Sequence, residues 1–157
     1  MADIRTKPFI LVVDDQATVI RIMSRILQPK YDVCFATSGE RALEVAKEQL
    51  PDLILLDNIM PGMTGIETCM ALKDIEGTSG IPVIFVTSMD DRHHEELGFK
   101  AGGVDYINKP VSEALVHARV SVHLKNQQQR IYLEQLARGD VTDIDKIRQG
   151  AEHLLKD

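Results

Sequence analysis

The sequence predicts a doubly wound α/β fold: a five-stranded parallel sheet in the order 2-1-3-4-5, with helices on both faces. Two observations carry this. Five short apolar runs alternate with five segments whose apolar residues fall at helical spacing. Three of those runs are almost wholly apolar and rich in Val, Ile and Leu, the composition of strands buried on both faces and hence of a parallel sheet covered by helices. The expected strand order is 2-1-3-4-5, with right-handed crossovers between successive parallel strands.

The predicted strands are residues 9–13, 31–35, 53–56, 81–87 and 104–107. The first, third and fourth are the wholly apolar ones and belong in the centre of the sheet. Between them, residues 18–27, 39–50, 64–73 and 91–100 read as helices, and a fifth begins at Glu113. In the second helix Ala42, Val45, Ala46 and Leu50 share one face. The domain is expected to span residues 8–124 and to close near Leu124. Residues 125–157 then form a helical extension or linker. Its first part, 125–130, is very polar. Its last part places Val141, Ile144, Ile147, Ala151 and Leu154 at helical spacing, with Thr142 and Asp145 as a capping box. About 30 residues cannot bury a core alone.

Composition narrows the function. The chain has 157 residues, 44% apolar and 27% charged, which is ordinary for a globular protein. No apolar run approaches the length of a membrane span. Residues 1–8 lack the apolar stretch of a signal peptide, so the expected compartment is the cytoplasm. The net charge of −6 argues against a large nucleic-acid surface. Cys34 and Cys69 stand alone and are expected to be free thiols. The five histidines, His93, His94, His117, His123 and His153, have no metal-ligand spacing and read as solvated helix residues.

The polar residues that end the strands are more specific. Strand 1 runs into Asp14-Asp15, strand 3 into Asp57, strand 4 into Thr87-Ser88, and strand 5 into Lys109-Pro110. In a 2-1-3-4-5 sheet the chain leaves strands 1 and 3 on opposite sides, and the crevice at their carboxyl ends is where ligands bind. All these residues lie on that rim. A lone Asp at a strand end is usually a cap or turn residue; the joint set is what chance does not readily produce. Each like-charge pair at about 4 Å costs about 4 kcal/mol at an effective dielectric of about 20. Lys109 offsets part of this. A hard dication with oxygen ligands offsets the rest, and Mg²⁺ suits a site that keeps waters and accepts a phosphoryl oxygen. The set reads as phosphoryl transfer: a carboxylate nucleophile, a lysine and a metal against the equatorial oxygens, and a hydroxyl for the third.

The stretches Ile10-Leu-Val-Val-Asp-Asp15, Pro51-Asp-Leu-Ile-Leu-Leu-Asp57, Met60-Pro-Gly-Met-Thr-Gly65, Pro82-Val-Ile-Phe-Val-Thr87 and Ala101-Gly-Gly-Val-Asp-Tyr-Ile-Asn-Lys-Pro110 resemble the receiver domain of bacterial two-component response regulators. The resemblance covers roughly residues 8–124. It implies the flavodoxin-like receiver fold and a phosphorelay switch, not an enzyme with a separate substrate. By resemblance, Asp57 accepts a phosphoryl group from a sensor histidine kinase or phosphotransfer protein. Asp15, Asp57 and the backbone carbonyl of Ile59 hold Mg²⁺ directly, and Asp14 holds it through water. Lys109 pairs with the phosphoryl group, and the Lys109-Pro110 bond is cis. Thr87 turns toward the phosphoryl group and Tyr106 turns inward behind it. Ile59 and Met89, two residues beyond the acceptor and the switch threonine, flank the path of the hydrolytic water. Both are apolar, so self-dephosphorylation is expected to be slow.

Partner docking is expected at helix 1. Its apolar stripe spans about 160°, wider than the roughly 100° a packed helix needs, so the edge residues Ile20 and Ile22 should be partly exposed. Either this is a generous core stripe or it docks a kinase. A homodimer on phosphorylation and an unidentified output domain complete the expected partners, with no direct nucleic acid and no membrane. Residues 107–124 resemble receivers that precede cyclic-di-GMP enzymes, and Leu136-Ala-Arg138 resembles the start of such cyclase domains, without their catalytic signature. The competing readings are a flavodoxin, an aspartyl-phosphate hydrolase and a phosphate-independent interaction module. The Asp14-Asp15-Gln16 loop repels a bare phosphate, the two aspartates are adjacent, and Asp57, Lys109 and Thr87 are all present.

Overall fold

A computed structural model describes residues 7–88 and 92–139. In chain order the elements are β1 (Phe9–Val13), α1 (Ala17–Leu27), β2 (Asp32–Ala36), α2 (Gly39–Gln49), β3 (Leu53–Leu56), α3 (Gly65–Asp74), β4 (Val83–Thr87), α4 (Arg92–Lys100), β5 (Asp105–Asn108) and α5 (Glu113–Ala137). The strands form one parallel sheet in the order β2-β1-β3-β4-β5. β1, β3 and β4 are buried at every residue, as their unbroken apolar runs require.

Alternate residues of these strands feed two cores. Leu11, Val13, Ile54, Leu56, Val83 and Phe85 meet Ala42, Val45 and Ala46 of α2 and Cys69 and Leu72 of α3. Ile10, Val12, Leu53, Leu55, Ile84 and Val86 meet Met23, Ile26 and Leu27 of α1 and Val116, Val120 and Leu124 of α5. The two-residue period of the strands thus distributes side chains to two helical layers.

Local chemistry sets the helix starts. Ser38 caps α2 by accepting from the Arg41 N–H. Thr64 and Glu67 form a reciprocal capping box on α3, and hydrogen bonds from Thr64 hold the Glu67 carboxyl below its usual range. Ser112 caps α5.

Several boundaries differ from the sequence expectation. β2 is shifted one residue onward, because Tyr31 is still tied to the end of α1 through Leu27. β4 starts at Val83 rather than Ile81, since Pro82 has no N–H for the ladder; its carbonyl accepts from Ile54. β5 is also one residue late. Of the two readings for the segment after Leu124, the described residues show the helical one: α5 runs unbroken through 125–130 and is 25 residues long in all, from Glu113 to Ala137. Lys, Gln and Arg are good helix formers, so polarity there marks exposure, not a turn. Arg130 anchors this extension by donating to the Gly80 carbonyl at 2.8 Å, in the α3–β4 loop. A Cβ at Gly80 would lie 2.7 Å from the Arg130 guanidinium, so a larger residue there would make that side chain shift. The seat itself is braced, as the Lys73 ammonium donates to the carbonyls of Ser79 and Ile81. The expected helix over 141–154, with its Thr142–Asp145 box, and His153 lie outside the described residues.

Candidate functional site

The carboxyl ends of β1 and β3 are neighbours in register, Val13 opposite Leu56. The next residues, Asp14 and Asp57, therefore emerge side by side, and both are buried. Asp15 follows into solvent. One oxygen from each of Asp14, Asp15 and Asp57 lies within 4.8 Å of the others. Lys109, just after β5, reaches across: its Nζ is 2.8 Å from Asp14 Oδ2 and 3.5 Å from Asp57 Oδ2. The Lys109-Pro110 bond is cis. Thr87 ends β4 fully buried, opposite Asn108, and its carbonyl accepts from the Lys109 N–H.

Backbone donors fix the acid side chains. Asp14 Oδ1 accepts from the Gln16 N–H at 2.9 Å, and Asp57 Oδ1 from the Ile59 N–H at 3.2 Å. Burial, then the charge of Asp14, raises the Asp57 carboxyl above its ordinary value, while Lys109 and the Ile59 N–H pull it back. Such a carboxylate is short of positive charge. Its surroundings are oxygen donors with one cation, the donor chemistry of a hard dication.

The β3–α3 loop is held tightly against this site. Asn58 is buried; its side-chain oxygen accepts from the Ile66 N–H and its carbonyl from the Gly65 N–H. A Cβ at Gly65 would collide with the Asp57 carbonyl, so only glycine lets α3 begin this close. The Ile59 side chain is 52% exposed beside Asp57. Met89 lies outside the described residues.

Behind the site, Tyr106 is packed inward, stacked on Phe85 at 5.3 Å and near Phe99 at 5.7 Å. Its hydroxyl donates to the His94 carbonyl at 2.8 Å, tying β5 to α4. Burial raises its phenol.

Two further sets of residues add to the sequence reading. Ile20 and Ile22 are partly exposed as expected, Ile22 by 44%. They sit on opposite edges of the buried Met23–Ile26–Leu27 stripe, however, and do not make one patch. Ile20 instead lines a cavity of about 460 Å³ with Arg21, Arg25 and Phe35. The second set is a cluster without a motif. Asp105 accepts from Arg119 Nη1 at 3.0 Å and pairs with His123 Nε2 at 2.8 Å. Burial raises the Asp105 carboxyl, but the hydrogen bonds from His123, the Tyr106 N–H and Arg119 outweigh it and hold it low. His123 is thus a fixed partner of β5, not a solvated residue. Cys34 and Cys69 are not joined in a disulfide; burial pushes Cys69 up to about 11, so it is an inert thiol. No helix among the described residues is long and apolar enough to cross a membrane.

The fold matches known proteins closely. The family model of the response regulator receiver domain matches residues 10–121. The chain belongs to that family, and its place is in two-component signal transduction. A Vibrio cholerae protein named a probable cyclic di-GMP phosphodiesterase is 40% identical over 91% of this chain and 32% of its own length. The response regulator PleD of Caulobacter vibrioides is 40% identical over 71% of this chain and 25% of its own. The chain therefore spans a third or less of these two relatives. Among solved structures, a response regulator from Chloroflexus aurantiacus superposes with a TM-score of 0.73 at 32% identity, covering 76% of this chain and 98% of that one. The chemotaxis protein CheY4 of Vibrio cholerae superposes at 0.71 with 26% identity, covering 74% and 98%.

Proposed function

We propose that Asp57 is the phosphoacceptor of a Mg²⁺-dependent switch whose donor is a sensor histidine kinase or phosphotransfer protein. The observation that carries this is the buried Asp57 carboxylate, 3.5 Å from Lys109 and clustered with Asp14 and Asp15. An Asp57 oxygen forms the new O–P bond as the P–N bond of a phosphohistidine breaks and the imidazole nitrogen keeps the electron pair. Lys109, already between Asp14 and Asp57, meets a phosphoryl oxygen. The Thr87 hydroxyl meets another. Asp14, Asp15, Asp57 and the Ile59 carbonyl would hold the metal, which supplies charge neutralisation at the phosphoryl oxygens when bound. The chain's own chemistry is confined to gaining and losing this group, with no separate substrate to turn over. Receiver residues 8–124 carry it, and residues 125–157 lead toward an output. The ordering of Thr87 and Tyr106 around the new charge alters the face formed by α4, β5 and α5. That face is also where a second copy would associate on phosphorylation.

The test is incubation with Mg²⁺ and acetyl phosphate, read by intact mass. Wild type should gain one phosphoryl mass and Asp57→Asn none. Full labelling of the variant would refute the assignment, and absence of labelling in wild type would favour a phosphate-independent module.

A second reading concerns the output. The alignment with the Vibrio cholerae relative extends over 143 residues, beyond the family match, and so takes in much of the α5 extension. This supports a receiver that governs a cyclic-di-GMP enzyme. Hydrolysis of cyclic di-GMP by the full-length gene product, with and without Asp57→Asn, tests it.

A further inference from the structure

Three consecutive carbonyls of the α3–β4 loop accept from side-chain cations. Lys73 Nζ donates to Ser79 at 3.2 Å and to Ile81 at 2.6 Å, and Arg130 Nη2 donates to Gly80 between them at 2.8 Å. Lys73 stands in the last turn of α3. A lysine there ordinarily serves the open carbonyls of its own helix. This one reaches six and eight residues onward instead. Burial lowers its ammonium from the ordinary value, and the charge of Arg130 lowers it further. Two like charges thus converge on one loop, held there by the carbonyl dipoles between them. The buried Thr78 closes the loop by donating to the Leu72 carbonyl at 2.7 Å.

The Lys73 stem has a second contact. It lies under Gly102 in the α4–β5 turn, where a Cβ would come within 2.8 Å of its Cγ. Cys69, one helical turn before Lys73, meets the Ala101 carbonyl at 3.5 Å, so α3 touches this turn twice. The turn is folded back on α4: the Gly102 N–H donates to the Phe99 carbonyl and the Gly103 N–H to the Gly98 carbonyl, each at 3.0 Å. Gly98 is covered by the Tyr106 ring, which a Cβ there would strike. Contacts therefore run without a gap from Tyr106 through Gly98 and the turn to Lys73, and from Lys73 through the 79–81 carbonyls to Arg130. Tyr106 is at the phosphoryl end of this series. Arg130 lies on α5 beyond Leu124, the last residue that helix gives to the core.

We propose that Lys73 is a positioning residue that couples the α4–β5 turn, and through it Tyr106, to the α5 extension by way of the 79–81 carbonyls and Arg130. A shift of the turn displaces Gly102, and the stem beneath it carries the ammonium along. That ammonium holds the two carbonyls that flank the one receiving Arg130. This route rests on the switch reading of Tyr106 and extends it past the face formed by α4, β5 and α5.

Contiguity alone is not coupling, and a double-mutant cycle separates the two. Amide hydrogen exchange is followed by NMR in the whole, unphosphorylated chain. Arg130→Met should raise exchange at Gly102 and Gly103 about threefold or more. In a Lys73→Met background, which keeps the stem and removes the donor, Arg130→Met should change neither amide. Lys73→Gln serves where Lys73→Met does not fold. Arg130→Lys, which keeps a donor, should stay close to wild type, and so should Gln128→Met at an exposed position of the same helix. No change at Gly102 and Gly103 in Arg130→Met, or an equal change in both backgrounds, refutes the link. With acetyl phosphate and Mg²⁺, amide shifts over residues 131–137 should accompany the gain of phosphoryl mass in wild type and be largely lost in Arg130→Met and in Lys73→Met. Equal shifts in the three proteins refute the route. Failure of wild type to gain the mass refutes the switch reading instead, and the exchange cycle still decides the link.

Discussion

Replacing Asp57 by Asn should stabilise the metal-free protein and make it less responsive to Mg²⁺. Carboxylate oxygens within 4.8 Å of one another repel by about 3.5 kcal/mol per pair at an effective dielectric of about 20. Lys109, 3.5 Å from Asp57, offsets about 4.7 kcal/mol on the same basis. Asp15 is exposed, so solvent and salt screen its share to about half or less. The Coulomb terms on Asp57 nearly cancel, which leaves the cost of burying a charge. That burial is also the leading cause of its raised pKa. Asn keeps the shape without the charge, and a gain of about 1–2 kcal/mol follows, or roughly 3–6 °C in Tm. Mg²⁺ at ten times its Kd should stabilise wild type by about 1.4 kcal/mol through mass action, and the variant by much less. Thermal melts of both proteins in EDTA and across a Mg²⁺ series read both quantities. A variant less stable than wild type in EDTA, or equal Mg²⁺ shifts in the two, would refute the reasoning.

Three further outcomes are expected. Ile20→Glu should slow phosphoryl transfer from a cognate kinase at least tenfold and leave transfer from acetyl phosphate unchanged; equal slowing by both routes would make Ile20 a packing residue only. The Ile59 side chain, half exposed beside Asp57, cannot orient water, so wild-type aspartyl phosphate should decay slowly. Ile59→Asn, paired with Met89→Glu, should hasten that decay several-fold, and equal lifetimes would remove these side chains from control of the water. Asp105→Asn should cost about 1 kcal/mol at neutral pH by loosening Arg119 and His123. The folded-state carboxyl lies below its ordinary 3.8, so its contribution is present above that value and lost as pH falls through the lower one. Urea melts at pH 7, 5 and 3 should show the gap between the two proteins narrowing only at the last, and a gap unchanged in acid would contradict the ion pair.

How much could be read in advance depended on where the information sits. β1 and β3 coincide with their apolar runs to the residue, because strands buried on both faces leave no polar position to blur the ends. Asp14, Asp57 and Lys109 were legible because each directly follows a strand, and strand order alone brings those ends together. Asp105, Arg119 and His123 were not. They meet across β5 and α5, 14 and 18 residues apart, and no periodicity links positions on different elements. The partial exposure of Ile20 and Ile22 was legible from the width of the α1 stripe, whose two edges they form. Beyond Leu124 the sequence left a helical extension and a linker both open, because a run of polar helix formers resembles a linker in composition, though not in propensity.

That persistence gives the domain a pointer. From Leu124 to Ala137 the helix projects about 20 Å past its last core contact. Arg130 rests it on Gly80 partway along. A tilt of about 5° at the base would carry the tip through about 1.7 Å at that length. A change of helix direction too small to expose or bury a core side chain therefore appears as a displacement of about 1.7 Å at the far end. A receiver built this way can report its state by where its last helix aims, with the sheet that generates the motion hardly deformed.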